Sequence, residues 1–313
     1  MTSKLLRQAL CLLLLLCLLP GPALGRESRL PAGPVFRDDQ TPLVIQLPEE
    51  GYWGYQSQNL RVEITRCTDA EKPLIWFETH IYCRGQERLT SYLSNPDHPG
   101  RGMSYPMDIA RKNGFVLAFS DDFVGFRYVQ AKARKGLIIR GGRVYSDMPS
   151  KKLLRTMPNL DVLAYYADGS MKAYLNGEKD AETLLSEGVT DVWCFGPVLL
   201  SGGELSDIMQ ENGYRTLQPR QALGMIEPGH YLLLTVKGRT KDSQGVPMRW
   251  LAERMQAFGV QEAINLDGGN TVALVFMGQL LTAKKNTGNQ KLIRTMSSMI
   301  GVGYDPSVQE AGQ

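Results

Sequence analysis

The groups in this chain best suited to chemistry are carboxylates at the ends of apolar runs. The first set is Asp267-Gly268-Gly269-Asn270, which interrupts a largely apolar stretch from Ala263 to Met277. The glycines permit positive φ and leave backbone N–H groups open to close approach by a ligand. A carboxylate beside such N–H groups can form a reactive corner. The second set, Ser120-Asp121-Asp122, ends the apolar run Phe115 to Phe119 abruptly. Arg220 and Arg239 lie near turns, and a guanidinium fork can grip a phosphate or a carboxylate. Asp121, Asp122 and Asp267 can supply a general acid with a base or nucleophile, the pair that glycosidic cleavage usually needs. Two plainer readings stay open beside this one. Asp-Gly is the commonest hairpin turn, and Arg220 can be a buried structural ion-pair partner of Asp267.

The elements that must hold these groups follow from the hydrophobic pattern. Ala263 to Leu266 reads as a strand entering the glycine corner. Val272 to Met277, apolar at every position, reads as a strand buried on both faces. Further strands are expected over Leu60–Ile64, Leu74–Cys83, Tyr231–Val236 and Met299–Tyr304, with hairpins turning at Gly141-Gly142 and Asp168-Gly169. Val192 to Leu200 is a strand interrupted at Gly196-Pro197, where a bulge or edge is expected. Helices are expected from Pro106 to Asn113, from Asp180 to Glu187, and from Pro247 to Phe258 with Leu251 and Met255 on one face. The fold class is α/β, in the mixed α+β sense: a mixed β-sheet core with flanking helices.

Composition narrows the function. The 313 residues are 43% hydrophobic and 21% charged, an ordinary globular balance. Net charge is +3, with no basic stripe interleaved with aromatics, so nucleic acid is not an expected partner. The three histidines, His80, His98 and His230, have no zinc-site spacing. There is no nucleophile elbow, phosphate-binding loop or dinucleotide fingerprint. No cofactor is expected, although Asp121, Asp122 and Asp267 are hard donors of the kind a divalent cation takes.

Lys4 and Arg7, the apolar run Ala9 to Leu19, Pro20, Pro22 and then Ala23-Leu24-Gly25 have the form of a secretory signal peptide over residues 1–25. An uncleaved anchor is the alternative, and no later stretch is apolar enough to span a membrane. Residues 26–50 read as a linker or arm and 51–313 as one domain. Of five cysteines, Cys11 and Cys17 fall in the signal. Cys67 and Cys83, on neighbouring apparent strands, could pair in an oxidising compartment, and Cys194 reads as a buried small hydrophobe.

Four blocks of this chain, in order, resemble those of the phosphodiester glycosidase domain family. They are Leu117-Ala118-Phe119-Ser120-Asp121-Asp122-Phe123; Phe195-Gly196-Pro197-Val198-Leu199; Pro219-Arg220-Gln221-Ala222-Leu223-Gly224 with Leu232 to Arg239; and Ala263-Ile264-Asn265-Leu266-Asp267-Gly268-Gly269. The likeness covers roughly residues 75–304. It implies hydrolysis of a sugar joined through its anomeric carbon to a phosphodiester, giving free sugar and a phosphomonoester. It also implies a cleft lined by Arg220, Asp267, Gly268, Gly269 and the Asp121/Asp122 corner. After Asp-Gly-Gly the family usually has a third glycine and a Ser or Thr, where this chain has Asn270 and Thr271, so it departs at Asn270, and it departs also at Ser120-Asp121, where Asn-Gly is usual. The expectation is a bacterial exported hydrolase acting on cell-envelope or exopolysaccharide glycans. Asp267 is its main catalytic group and Asp121 or Asp122 its partner. Arg220 neutralises phosphate, and Ser120, Arg239 and Asn270 complete the substrate contacts. The alternative is a carbohydrate-binding or envelope-assembly protein that keeps the cleft without the chemistry. The sequence leaves the oligomeric state open.

Overall fold

The computed structural model describes residues 29–129, 135–148, 158–210, 214–282 and 293–310. Residues 1–25, read from sequence as a signal peptide, lie outside them. Among the described residues, three antiparallel sheets form the fold, with helices packed around them. The largest has nine strands, in the spatial order Leu43–Leu47, Tyr52–Gln56, Leu60–Thr68, Ile75–Cys83, His230–Val236, Arg220–Glu227, Glu262–Asn265, Val198–Ser201 and Glu204–Leu205. A second sheet orders Met171–Tyr174, Asp161–Tyr166, Val189–Phe195, Gly136–Arg140 and Arg143–Met148. The third orders Gln279–Leu280, Leu274–Phe276, Leu117–Phe119, Ser298–Val302 and Thr90–Leu93.

The apolar faces of all three sheets meet in one core. Val62, Leu223, Leu233 and Ile264 come from the first sheet, Leu163 and Trp193 from the second, and Phe119, Leu274, Phe276 and Ile300 from the third. The opposite face of the nine-stranded sheet is covered by the helix Met248–Ala257, which buries Met248, Leu251, Ala252 and Met255. Apolar side chains three and four residues apart share one side of a helix, which is why this segment docks there. Gly259, at φ 76°, follows its end, and its N–H bonds to the Gln256 carbonyl. Among the described residues no helix is long and apolar enough to cross a membrane.

Three expectations change. Residues 43–47, read as part of an arm, form a strand that pairs with Tyr52–Gln56. Pro42 and Pro48 flank it and hid the short apolar run Leu43-Val44-Ile45. The cysteine pair fails on register. Cys67 lies opposite Trp76 and Cys83 opposite Leu60, so the two thiols sit at opposite ends of one hairpin. Both are free, as is the buried Cys194. The glycine corner, finally, is not a hairpin. The strand before it, Glu262–Asn265, pairs with Arg220–Glu227 and Val198–Ser201. The strand after it, Leu274–Phe276, pairs with Leu117–Phe119 in a different sheet. Asp267 to Asn270 therefore carry the chain from one sheet to another. Gly196-Pro197 does the same between Val189–Phe195 and Val198–Ser201, and lies beside it: the Asn265 N–H bonds to the Pro197 carbonyl and the Gly196 N–H to the Asn265 carbonyl.

Candidate active site

The site is built where these crossings meet the end of strand Leu117–Phe119. Because that strand lies antiparallel to Leu274–Phe276, the carboxylates that follow one are brought to the glycine corner that precedes the other. The Ser120 N–H bonds to the Ala273 carbonyl at 3.2 Å, and the Asp267 N–H to the Asp121 carbonyl at 3.1 Å. Ser120 is buried and structural in its bonding. Its hydroxyl donates to the Thr271 carbonyl at 2.5 Å and accepts the Ala273 N–H at 2.8 Å.

The corner is shaped by its glycines. A Cβ on Gly268 would stand 2.8 Å from the Pro219 carbonyl oxygen, closer than side chains tolerate. Gly269 has φ 67°, in the left-handed region that favours glycine. Its N–H donates to the same Pro219 carbonyl at 3.0 Å. Asp267 is held by two donors: the Gly268 N–H reaches Oδ1 at 2.9 Å and the Thr271 hydroxyl is 2.6 Å from Oδ2. Burial pushes its pKa up to about 7; the Thr271 and Gly268 bonds oppose this, the Asp121 charge adds to it, and Arg294 opposes it. Burial, then the Asp122 charge, pushes Asp121 up to about 6. Two neighbouring carboxyls thus titrate near neutrality.

Asp122 behaves differently. Its Oδ2 accepts Arg127 Nη2 at 2.5 Å and the Cys194 N–H at 2.7 Å, and its Oδ1 accepts Arg140 Nη2 at 2.6 Å. Burial alone would raise its pKa, but the two guanidiniums outweigh that and hold it below the ordinary carboxylate value. With every oxygen engaged and no exposed surface, Asp122 is the anchor of a buried ion network lying behind Asp121. Arg140 and Arg127 were not singled out from sequence. A charged residue closing the buried run Leu137-Ile138-Ile139 was the available signal, because such a residue needs a partner.

Of the two arginines expected to bind anions, Arg220 is buried. Its Nε donates to the Val246 carbonyl at 2.9 Å and its Nη2 to the Thr216 carbonyl at 3.0 Å. Burial lowers its pKa to about 10. Among the described residues no ion pair joins it to Asp267, so the structural-pair reading of these two residues is not realised. Arg239 is exposed and lies over the glycines, with both terminal nitrogens 3.4 Å from where a Gly269 Cβ would be. Its fork grips Gln218 Oε1 at 2.9 and 2.6 Å and Asn270 Oδ1 at 3.2 Å, all neutral acceptors. Arg294, also exposed, donates its backbone N–H to the Asn270 carbonyl at 3.1 Å. The structure therefore gathers Asp121, Asp267, Gly268, Gly269, Asn270 and Arg239 at one corner, with Ser120 as its fastening. It sets Asp122 behind them and turns the Arg220 side chain toward Thr216 and Val246. Among the described residues, no three His, Cys, Asp or Glu side chains are arranged to hold a metal.

A family model for phosphodiester glycosidases matches residues 113–303, which contain this whole corner. The chain belongs to the phosphodiester glycosidase family. Among solved structures, the catalytic domain of zebrafish N-acetylglucosamine-1-phosphodiester alpha-N-acetylglucosaminidase, auto-inhibited by its pro-peptide, superposes with a TM-score of 0.59 over 79% of this chain and 83% of that one, at 16% identity. A Burkholderia pseudomallei protein described as exported superposes with a TM-score of 0.50 over 74% of this chain and 75% of that one, at 12% identity. These two likenesses show the shared fold. Among curated proteins, the SPbeta prophage-derived uncharacterized protein YomE of Bacillus subtilis is 27% identical over 148 residues, which are 47% of this chain. That match spans 22% of YomE's length. In this member of the family, Asn270 of the corner contacts Arg239.

Proposed function

We propose that the protein hydrolyses a glycosyl phosphodiester, releasing the sugar and leaving a phosphomonoester. The observation that carries this reading is the meeting of Asp267 and Asp121, both with raised pKa values, at a corner over whose Gly269 the Arg239 guanidinium lies, held by the neutral acceptors Gln218 and Asn270. Asp267 is the proton-carrying group and Asp121 its carboxylate partner, since a group titrating near 7 can both hold and release a proton at neutral pH. Arg239, with Arg294 beside it, balances the charge that develops on the departing phosphate. Such preorganised charge stabilisation is commonly the larger contribution to catalysis. Family membership supports the reaction class, whereas the glycine N–H groups, expected from sequence to stand open to a ligand, are both engaged within the corner, Gly268 with Asp267 and Gly269 with the Pro219 carbonyl.

The finer proposals are a cell-envelope or exopolysaccharide substrate and export through the signal peptide over residues 1–25, yielding a secreted protein. A second reading, sugar-phosphate binding without turnover, is favoured by one observation. Asn270 occupies the place of a family glycine and holds Arg239. N-acetylglucosamine 1-(methyl phosphate) is the test compound. Release of reducing sugar by the wild type, lost by at least 1,000-fold in Asp267→Asn as expected when a general acid is removed together with its field, supports hydrolysis. Tight binding of the compound with no sugar released supports the second reading instead.

A further inference from the structure

Thr271 closes the glycine corner, and its hydroxyl is placed between two acceptors. Oγ1 lies 2.6 Å from Asp267 Oδ2 and 2.5 Å from the Gly268 carbonyl oxygen. A hydroxyl carries one proton, so it can donate to only one of them at a time. With Asp267 ionised, the hydroxyl donates to Oδ2, and the Gly268 carbonyl keeps the Thr271 N–H at 3.3 Å. With Asp267 protonated on Oδ2, the acid donates to Oγ1 and the hydroxyl turns to the Gly268 carbonyl. The proton belongs on Oδ2 because Oδ1 already accepts the Gly268 N–H, a bond that favours the oxygen without a proton. Both charge states are therefore fully bonded with no heavy atom displaced.

We infer that Thr271 is a positioning residue: its hydroxyl is a two-position rotor that fixes the Asp267 proton on Oδ2 and stabilises the carboxylate left when that proton departs. The inference rests on the reading of Asp267 as the proton carrier. When Asp267 acts, its Oδ2–H bond breaks and an O–H bond forms on the departing phosphate oxygen. The hydroxyl then swings from the Gly268 carbonyl to Oδ2. The charged groups near Asp267 are Asp121 at the end of strand Leu117–Phe119, with Asp122, Arg127 and Arg140 behind it, Arg294 on the segment before Ser298–Val302, and Arg239 over Gly269; the Arg220 guanidinium, at the start of strand Arg220–Glu227, bonds the Thr216 and Val246 carbonyls. Replacing the Thr271 hydroxyl leaves the charge of each of them unchanged.

The test titrates Asp267 directly. The full chain is labelled with 13C at aspartate carboxyls, and the Asp267 resonance is assigned by its loss in Asp267→Asn. Thr271→Val keeps the shape and deletes the rotor. Because a bond to the charged form is the stronger of the two, its removal is expected to raise the Asp267 pKa by about one unit. The matching limb of kcat against pH, measured with N-acetylglucosamine 1-(methyl phosphate), is expected to move by the same amount. Thr271→Ser is expected to restore both. Should Thr271→Val fail to fold, Thr271→Ala carries the same comparison. A titration in the rotor-less variant that coincides with wild type overturns the inference, whatever its melting temperature. A shifted titration in a protein that hydrolyses nothing upholds the rotor and removes the proposed activity.

Discussion

Asp267 and Asp122 lie in the same corner and have opposite electrostatic fates. An unfolded aspartate titrates near 3.9, and the folded Asp267 near 7. Its contribution to stability is therefore full below about pH 4 and lost as pH rises through 7. Above that pH the fold carries a poorly solvated charge. Asp267→Asn removes it, so the variant is expected to melt about 3 °C above wild type at pH 8.5 and nearly level with it at pH 4, taking about 1 kcal/mol after allowance for the residue's remaining solvent exposure. A difference that does not change with pH refutes the raised pKa. Asp122 has the reverse sign. Its lowered pKa gives stability that is present above about pH 4 and lost as pH falls through the folded value. Asp122→Ala leaves the buried Arg127 without its anion and Arg140 with only the more distant Asp121 carboxylate, 4.0 Å away, and a loss of about 3–5 kcal/mol is expected in urea denaturation at pH 7. A loss under 1 kcal/mol would show that Arg127 and Arg140 do not depend on it.

The elements make the site by changing sheets. Strands were legible because unbroken apolar runs such as Phe115 to Phe119 and Val272 to Met277 have few other uses in a folded chain. Their partners were not legible. Glu262–Asn265 and Leu274–Phe276 are separated by eight residues and an Asp-Gly, which locally is indistinguishable from a hairpin. Only the competition of distant strands sends them to different sheets. The same limit misplaced Cys67 and Cys83, since adjacency of strands was readable and register was not. It also left the direction of the Arg220 side chain unread, because a motif shows which residues are near a site and not which way their side chains turn; two of its nitrogens bond the Val246 and Thr216 carbonyls. Two measurements act at this scale. Gly268→Ala forces a methyl onto the Pro219 carbonyl. It is expected to cost about 1–3 kcal/mol and to lower kcat more than it raises KM, since the corner that positions Asp267 must move. An unchanged kcat would disconnect the turn from the chemistry. Cys67 and Cys83 are expected to react with a thiol reagent in denaturant without any reductant, and a protein that needs reduction first would contradict the hairpin register.

At the scale of the molecule, the three sheets share one apolar core, and the chain passes among them repeatedly, with two of those crossings side by side at the carboxylate corner. No sheet can leave without stripping the others of partners: Trp193 of the second sheet packs in the same cluster as Val62 of the first and Phe119 of the third. Such sharing favours one cooperative unit over separable subdomains. The tryptophans report on it from different places. Trp53 and Trp76 lie on the nine-stranded sheet, Trp193 on the second sheet and Trp250 on the covering helix. Single-tryptophan variants, with the other three replaced by Phe, are expected to unfold in urea at midpoints that shift together with global stability as read by far-UV circular dichroism. Within each variant, fluorescence and dichroism should trace the same curve. A Trp250 signal lost well before the dichroism would mean that the helix detaches first. A Trp193 transition separate from its own backbone signal would mean that the second sheet melts alone, and the carboxylate corner, whose Asp122 is tied to Cys194 on that sheet, would then lose its anchor before the rest of the fold.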